Sequence, residues 1–151
     1  MAVELKDEAL SYLDSHHVAT LASSGEEGPW ASAVFYINDR FTLSFLSDPA
    51  TRHGRNLTAN PRVAVAIHED EGDWREVRGI QLLGEAMPVS NLEKTRLIPA
   101  FIARFPSVGL IVSDPGFVRV LAQSLLYRIQ PREIWYLDKK KGISDRRMVP
   151  V

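Results

Sequence analysis

Hydrophobic positions along the chain keep two different periods, and each change of period marks an element. Leu5, Ala9, Leu10 and Leu13 recur at helical spacing, so residues 3–13 read as an amphipathic helix. The stretches 17–23 (HVATLAS) and 30–37 (WASAVFYI) read as strands joined by the turn 24–28 (SGEEG). Asn38-Asp39 predicts a hairpin turn into a third strand, 41–46, where β-branched and aromatic residues alternate with small ones. Asp48-Pro49 then starts a short helix, with the aspartate as N-cap and the proline at the first helical position. Asn60-Pro61 stops that helix, and the apolar run 63–67 (VAVAI) resumes as a buried strand.

After an acidic loop at 68–73, residues 78–89 (RGIQLLGEAMPV) predict a long strand with a bulge or close approach at Gly84. Asn91 caps a helix running to 105, with Leu97, Ile98, Phe101, Ile102 and Phe105 on its apolar side and Pro99 as a kink. Residues 107–116 read as a loop or short helix, and Asp114-Pro115 opens another helical piece through about 121. The last strands fall at 125–129 and 134–137, before a basic tail over 139–147. About six antiparallel strands with helices between them predict an α+β, mainly β, chain: an antiparallel barrel with peripheral helices. There are no internal repeats or linkers, so 1–151 is expected to be a single domain.

Composition narrows the chemistry. The absence of cysteine removes disulfides, thiolate metal sites, iron–sulfur clusters and cysteine nucleophiles. A formal net charge of -1 gives no global footprint for nucleic acid, so an anion has to be met by a local site. The stretch 1–16 is acidic and amphipathic and lacks the apolar run of a signal peptide or membrane span; the cytoplasm is the expected location, with no membrane partner. His16, His17, His53 and His68 do not stand at ligand spacing with carboxylates, so no metal site is expected. No G-x-S-x-G, P-loop or dinucleotide fingerprint occurs, and no side chain is singled out as a general acid or base.

One local pattern invites a ligand. Thr51, Arg52 and His53, with Arg55 close behind, crowd the start of the short helix. A helix N-terminus carries about half a positive charge, so basic residues there cost about 0.3–1 kcal/mol each. Either these charges extend into solvent, or an anion sits at that end, held by backbone N–H groups, a hydroxyl, a guanidinium and an imidazole.

The order of elements and the residues Ser47, Thr51, Arg52, His53, Asn56-Leu57 and Asn60-Pro61-Arg62-Val63 resemble the pyridoxamine 5'-phosphate oxidase-like superfamily of FMN-binding split barrels. In the oxidases the comparable run reads T-x-x-x-S-R-K, followed by L-x-x-N-P, and holds the flavin phosphate. Carried over, Ser47 matches the threonine, Thr51 the serine, Arg52 the arginine and His53 the lysine. The chain is closer still to the bacterial YhbP-like branch, through Thr51-Arg52-His53, Arg78-Gly79-Ile80-Gln81 up to Glu85, and Arg104-Phe105-Pro106. It lacks the oxidases' basic R-x-x-L-L-K pattern over 30–36 and their C-terminal R-L-H-D-R segment, so oxidation of pyridoxamine phosphate itself is not expected.

The resemblance implies a split-barrel flavoprotein oxidoreductase with FMN as cofactor and a small-molecule substrate. Arg52 would lead in holding the phosphate, Ser47 and Thr51 would add hydroxyls, and His53 would bring a charge that depends on pH. Ala31, Ser32 and Ala33 would let the flat ring lie on the second strand opposite Phe45 and Leu46, or else pack in the core. Gln81 would reach the pyrimidine end of the ring or face solvent, and Trp30 would flank the flavin or pack in a core or interface. The resemblance also implies a homodimer with the flavin at the subunit boundary, where Trp135, Tyr136 and the basic tail either reach a partner's site or stay solvated. Two alternatives stand beside this: a non-catalytic binder of haem (with His53 as axial ligand) or another anionic cofactor in the same cleft, and an empty scaffold.

Overall fold

Every second side chain of β1 (Val18–Gly25) is buried, namely Ala19, Leu21 and Ser23. The same two-residue beat runs through β4 (Arg62–His68) and most of β5 (Arg78–Pro88), so one face of these strands is core and the other faces out. The computed structural model describes residues 2–151. Its sheet runs in the order β3 (Thr42–Ser47), β2 (Gly28–Asp39), β1, β4, β5, β6 (Leu125–Asp138), β7 (Arg147–Met148). Pairing of β3 with β6 closes six strands into an antiparallel barrel, the split-barrel architecture expected. Its interior is filled by large inward side chains, among them Leu21, Tyr36, Leu43, Phe45, Ile80 and Ile134. Phe45 stacks on Tyr127 with ring centroids 5.1 Å apart, which locks β3 to β6 across the closure.

The helices lie around this barrel. α1 (Ala2–Asp14) buries Ala9, Tyr12 and Leu13 in the core, and the Tyr36 hydroxyl donates to Leu13 O at 2.6 Å. α2 (Arg52–Ala59) packs on β1 and β2. α3 (Asn91–Arg104), α4 (Pro106–Gly109) and α5 (Pro115–Gln123) follow β5, with α3 resting on β2 and β6. Among the described residues, no helix is long and apolar enough to cross a membrane.

Several local expectations need correction. The short helix begins at Arg52, with Thr51 rather than Asp48 as N-cap: Thr51 Oγ1 accepts from Gly54 N at 3.1 Å. Asp48 instead accepts from Ala50 N at 2.8 Å, a side-chain turn that holds residues 48–50 outside the helix. Ser90, not Asn91, caps α3, whereas Asp114 caps α5 as the sequence suggests. The β2–β3 hairpin turns at Arg40 and Phe41, one step beyond Asn38-Asp39, and Arg40 takes the left-handed backbone there (φ 53°).

The two expected last strands are one, β6, continuous through Pro131. The pairing of β5 with β6 slips at Leu83/Gly84, and Gly84 is the close approach predicted: a Cβ there would stand 2.5 Å from Gln130 O. The basic tail is not simply solvated either. β7 pairs with Trp135 and Tyr136, Val149 N donates to Ile134 O at 2.9 Å, and the Val149 side chain is buried. Lys141 Nζ donates to Glu8 Oε1 at 2.6 Å, tying the segment to α1.

Candidate functional site

The turn from β3 into α2 brings four of the sequence-predicted residues together. Ser47 ends β3 and His53 sits in the first turn of α2, with 2.6 Å between Ser47 Oγ and His53 Nε2. Burial pushes the imidazole pKa below its ordinary value, so the neutral ring is favoured. Thr51 donates its hydroxyl to Asp48 O at 2.7 Å while accepting from Gly54 N, which joins turn and helix. Arg55 is turned to a structural task, donating from Nη1 to Ala50 O at 2.7 Å.

Arg52 is gripped from the other side of the mouth. Its Nη2 donates to Glu27 O at 3.1 Å, and its guanidinium lies 4.2 Å from the centroid of the Trp30 ring. Its Nε is buried and has no hydrogen-bond partner among the described residues; Glu27 Oε2, at 3.6 Å, stands beyond hydrogen-bonding reach. Ser32 shows the same feature. It lies two positions along β2 from Trp30 on the same face, and its Oγ is also buried and unpartnered. Asn38 Oδ1, Arg104 Nε and Arg147 Nη2 are likewise buried without a hydrogen bond elsewhere in the fold; Arg52 Nε and Ser32 Oγ are the two associated with the Trp30 face of β2.

The remaining members of the motif anchor α2. Asn56 is buried and donates from Nδ2 to Ser23 Oγ at 3.1 Å, and Asn60 donates to Ser24 Oγ at 3.1 Å. Glu27 carries no local sequence signal for its role, because it sits in the β1–β2 turn and meets Arg52 only when that hairpin folds over the helix start.

Gln81 lies elsewhere. Register places it in an outward ladder, Ala33–Thr20–Ala66–Gln81–Trp135, whereas Ser32 belongs to the inward set. A parallel ladder runs Ala31–Ala22–Ala64–Leu83. Within one chain Gln81 and the Arg52 mouth therefore face different sides of the sheet. The outward ladders carry small side chains, and Ala22, Ala64 and Ala66 floor a hollow of about 560 Å³ that Gln81, Trp135 and Arg146 also line. Tyr136, by contrast, is buried in the core and is not free to reach a partner. Among the described residues, no three His, Asp or Glu side chains converge as a metal site.

The sequence matches the family model described as pyridoxamine 5'-phosphate oxidase over residues 5–138. A UPF0306 protein of Klebsiella pneumoniae is 29% identical over 137 residues, covering 89% of this chain and 86% of that protein. Among solved structures, a haem-binding protein of Mycobacterium smegmatis superposes with a TM-score of 0.74 at 22% identity, over 95% of this chain and 56% of that one. An FAD-binding protein of Mesorhizobium loti superposes with a TM-score of 0.64 at 21% identity, over 84% and 89% of the two chains. The same barrel thus serves both flavin and haem binders.

Proposed function

The chain belongs to the pyridoxamine 5'-phosphate oxidase family, and from that premise we propose that it is a cytoplasmic FMN-binding oxidoreductase acting on a small molecule. The flavin phosphate is held where α2 begins. One observation carries this reading: a guanidinium fixed by Trp30 and Glu27 at a helix N-terminus, with its Nε buried and without a hydrogen bond, facing the Glu27 carboxylate only at ion-pair distance, 3.6 Å. Leaving such a donor unsatisfied costs about 1–3 kcal/mol, which an anionic oxygen would recover. The first-turn N–H groups of α2 have no intrahelical acceptors, and Thr51 takes only that of Gly54. Arg52 is the fixed charge of the cradle, Ser47 supplies a hydroxyl beside the His53 ring, and the Thr51 hydroxyl joins them only by leaving Asp48 O. Ser32, with its free Oγ, would hydrogen-bond the cofactor beyond the phosphate. Bound FMN would supply the redox chemistry; the protein binds it, orients it and excludes water around it.

A homodimer completes the site in this reading. The outward row of small side chains Ala22, Ala31, Ala33, Ala64 and Ala66 suits a second copy, and only across such a boundary does Gln81 meet a cofactor held at Arg52. The substrate is not pyridoxamine phosphate, since β2 offers no basic side chain for it.

The test adds FMN to the protein, desalts it and records the visible spectrum, with sedimentation to give the mass. Wild type should keep the flavin bands and run as two copies, and Arg52→Ala should lose the bands while staying folded. Protein that lets FMN wash through would overturn the proposal. A Soret band would favour haem, for which His53 Nε2 has first to leave Ser47.

A further inference from the structure

α3, α4 and α5 do not close fully on the barrel. Between them and the outer faces of β2 and β3 lies a cavity of about 240 Å³. Phe35, Leu46, Phe101, Phe105, Val108 and Phe117 are among its walls. No charged side chain among the described residues lines it, and Ser107 brings its one hydroxyl. α5 buries none of its residues fully; Phe117 and Leu121 are turned into the cavity rather than into a packed core. Protein interiors seldom leave an apolar hollow of this size, because its walls lose contacts on one side.

We propose that this cavity is the substrate pocket and that it takes a neutral, apolar molecule of about two fused rings. Size, charge and position each support this. An apolar cavity of about 150 Å³ holds a single benzene ring, so a hollow of about 240 Å³ has room for roughly a second one. A carboxylate or phosphate drawn in against these walls, away from the open side, would lose its hydration with no partner to replace it, which weakens charged ligands relative to neutral ones. Leu46 directly precedes Ser47 of the anion cradle, and Phe35 follows Ala33 on the outward face of β2. The pocket therefore borders, on the outward side, the row of small residues on which the second subunit and the flavin ring that subunit carries are placed, and its role as substrate pocket rests on that flavin reading.

The experiment titrates 2-naphthol and the anion 2-naphthoate into the FMN-free protein and then into the FMN-loaded protein, by calorimetry and by absorption. Naphthol should bind, and naphthoate at least about tenfold more weakly. Val108→Trp, which fills the cavity instead of emptying it, should weaken naphthol at least about tenfold without lowering the melting temperature. The titration of FMN-free protein reads the cavity alone, so a failure of the FMN reading would not hide the result. In the loaded protein naphthol should shift the flavin bands. Equal binding of naphthoate, or no effect of Val108→Trp, overturns the proposal. Naphthol binding with unmoved flavin bands overturns the substrate role and leaves FMN binding standing. A change of oligomeric mass in Val108→Trp would make the cavity part of the subunit contact and overturn it too.

Discussion

Replacing Gly54 by alanine should destabilise this protein, although alanine is the better helix former. Gly54 is the third residue of α2, where alanine ordinarily gains about 1 kcal/mol over glycine. Here a Cβ would stand 2.6 Å from Pro49 O, 2.7 Å from Pro49 Cα and 2.8 Å from Asp48 O. All three are backbone atoms, so no flexible side chain can yield. Overpacking typically costs about 1–3 kcal/mol, and three simultaneous overlaps place this case near or above the upper end. Subtracting the helix gain leaves a loss of about 2 kcal/mol or more, or a melting temperature lower by at least about 4–8 °C for a domain of this size. The strain can be relieved only by moving residues 48–51, which carry the Thr51 cap and follow Ser47, so FMN retention should fall together with stability. Gly72 is the control: a Cβ there meets nothing within 4 Å, and Gly72→Ala should stay within about 0.5 kcal/mol of wild type. The assay is a thermal melt of both variants, each repeated after FMN loading and desalting. Gly54→Ala melting at or above wild type would refute the argument, since the turn would then have room the geometry denies it.

Two further outcomes follow from the same turn. Thr51→Ala should cost about 1 kcal/mol in chemical denaturation through loss of the N-cap, and Thr51→Ser should recover most of it; equal losses in both would show that the hydroxyl is not the cap. His53 should make the FMN-free protein less stable in mild acid. Burial holds its folded pKa below the ordinary 6.5, so the unfolded chain takes up a proton first; stability is full above pH 6.5 and drains away as pH falls through the folded value. Melting temperatures of His53→Gln should fall less steeply than those of wild type below that pH, and parallel curves would remove His53 from the account.

Much of the barrel is legible because its strands bury one face. Ala19, Leu21 and Ser23 alternate with exposed neighbours in β1, and Val63, Val65 and Ile67 do so in β4, so a period of two reports the fold directly. Termini are harder to read where two residues compete for one task. Asp48 and Thr51 are both good caps, and Pro49 argues for the first; the close approach of Gly54 to that proline's backbone decides for the second. Pro131 and the polar residues around it read as a break between strands. The register slip leaves Arg132 as an extra residue on β6 beside Pro131, and Gly84 opposite it has no side chain to obstruct the close approach, so β6 runs on through the proline. The tail reads as solvated charge because its anchor is one residue, Val149, beyond the basic run.

The site divides along the same line, between what a local run can encode and what only register can. Ser47, Thr51, Arg52 and His53 are close in sequence, so their linear order is enough to gather them at one helix start. The contacts that hold Arg52 at the helix start are not local. Its stacking on Trp30 and its bond to Glu27 depend on the β1–β2 hairpin folding across α2. Gln81 shows the converse: its neighbours in sequence suggest a polar residue on an apolar strand, but its side of the sheet follows from three successive pairings back to Ala33. Because a slip of one residue in any of these pairings would turn Gln81 to the other face, its distance from Arg52 is a property of the whole sheet. A site that unites the two must therefore draw them from different subunits, and a mixture of Arg52→Ala and Gln81→Ala chains should restore part of the FMN binding each lacks alone. Mixed dimers that bind no more FMN than either parent would separate Gln81 from the cofactor altogether.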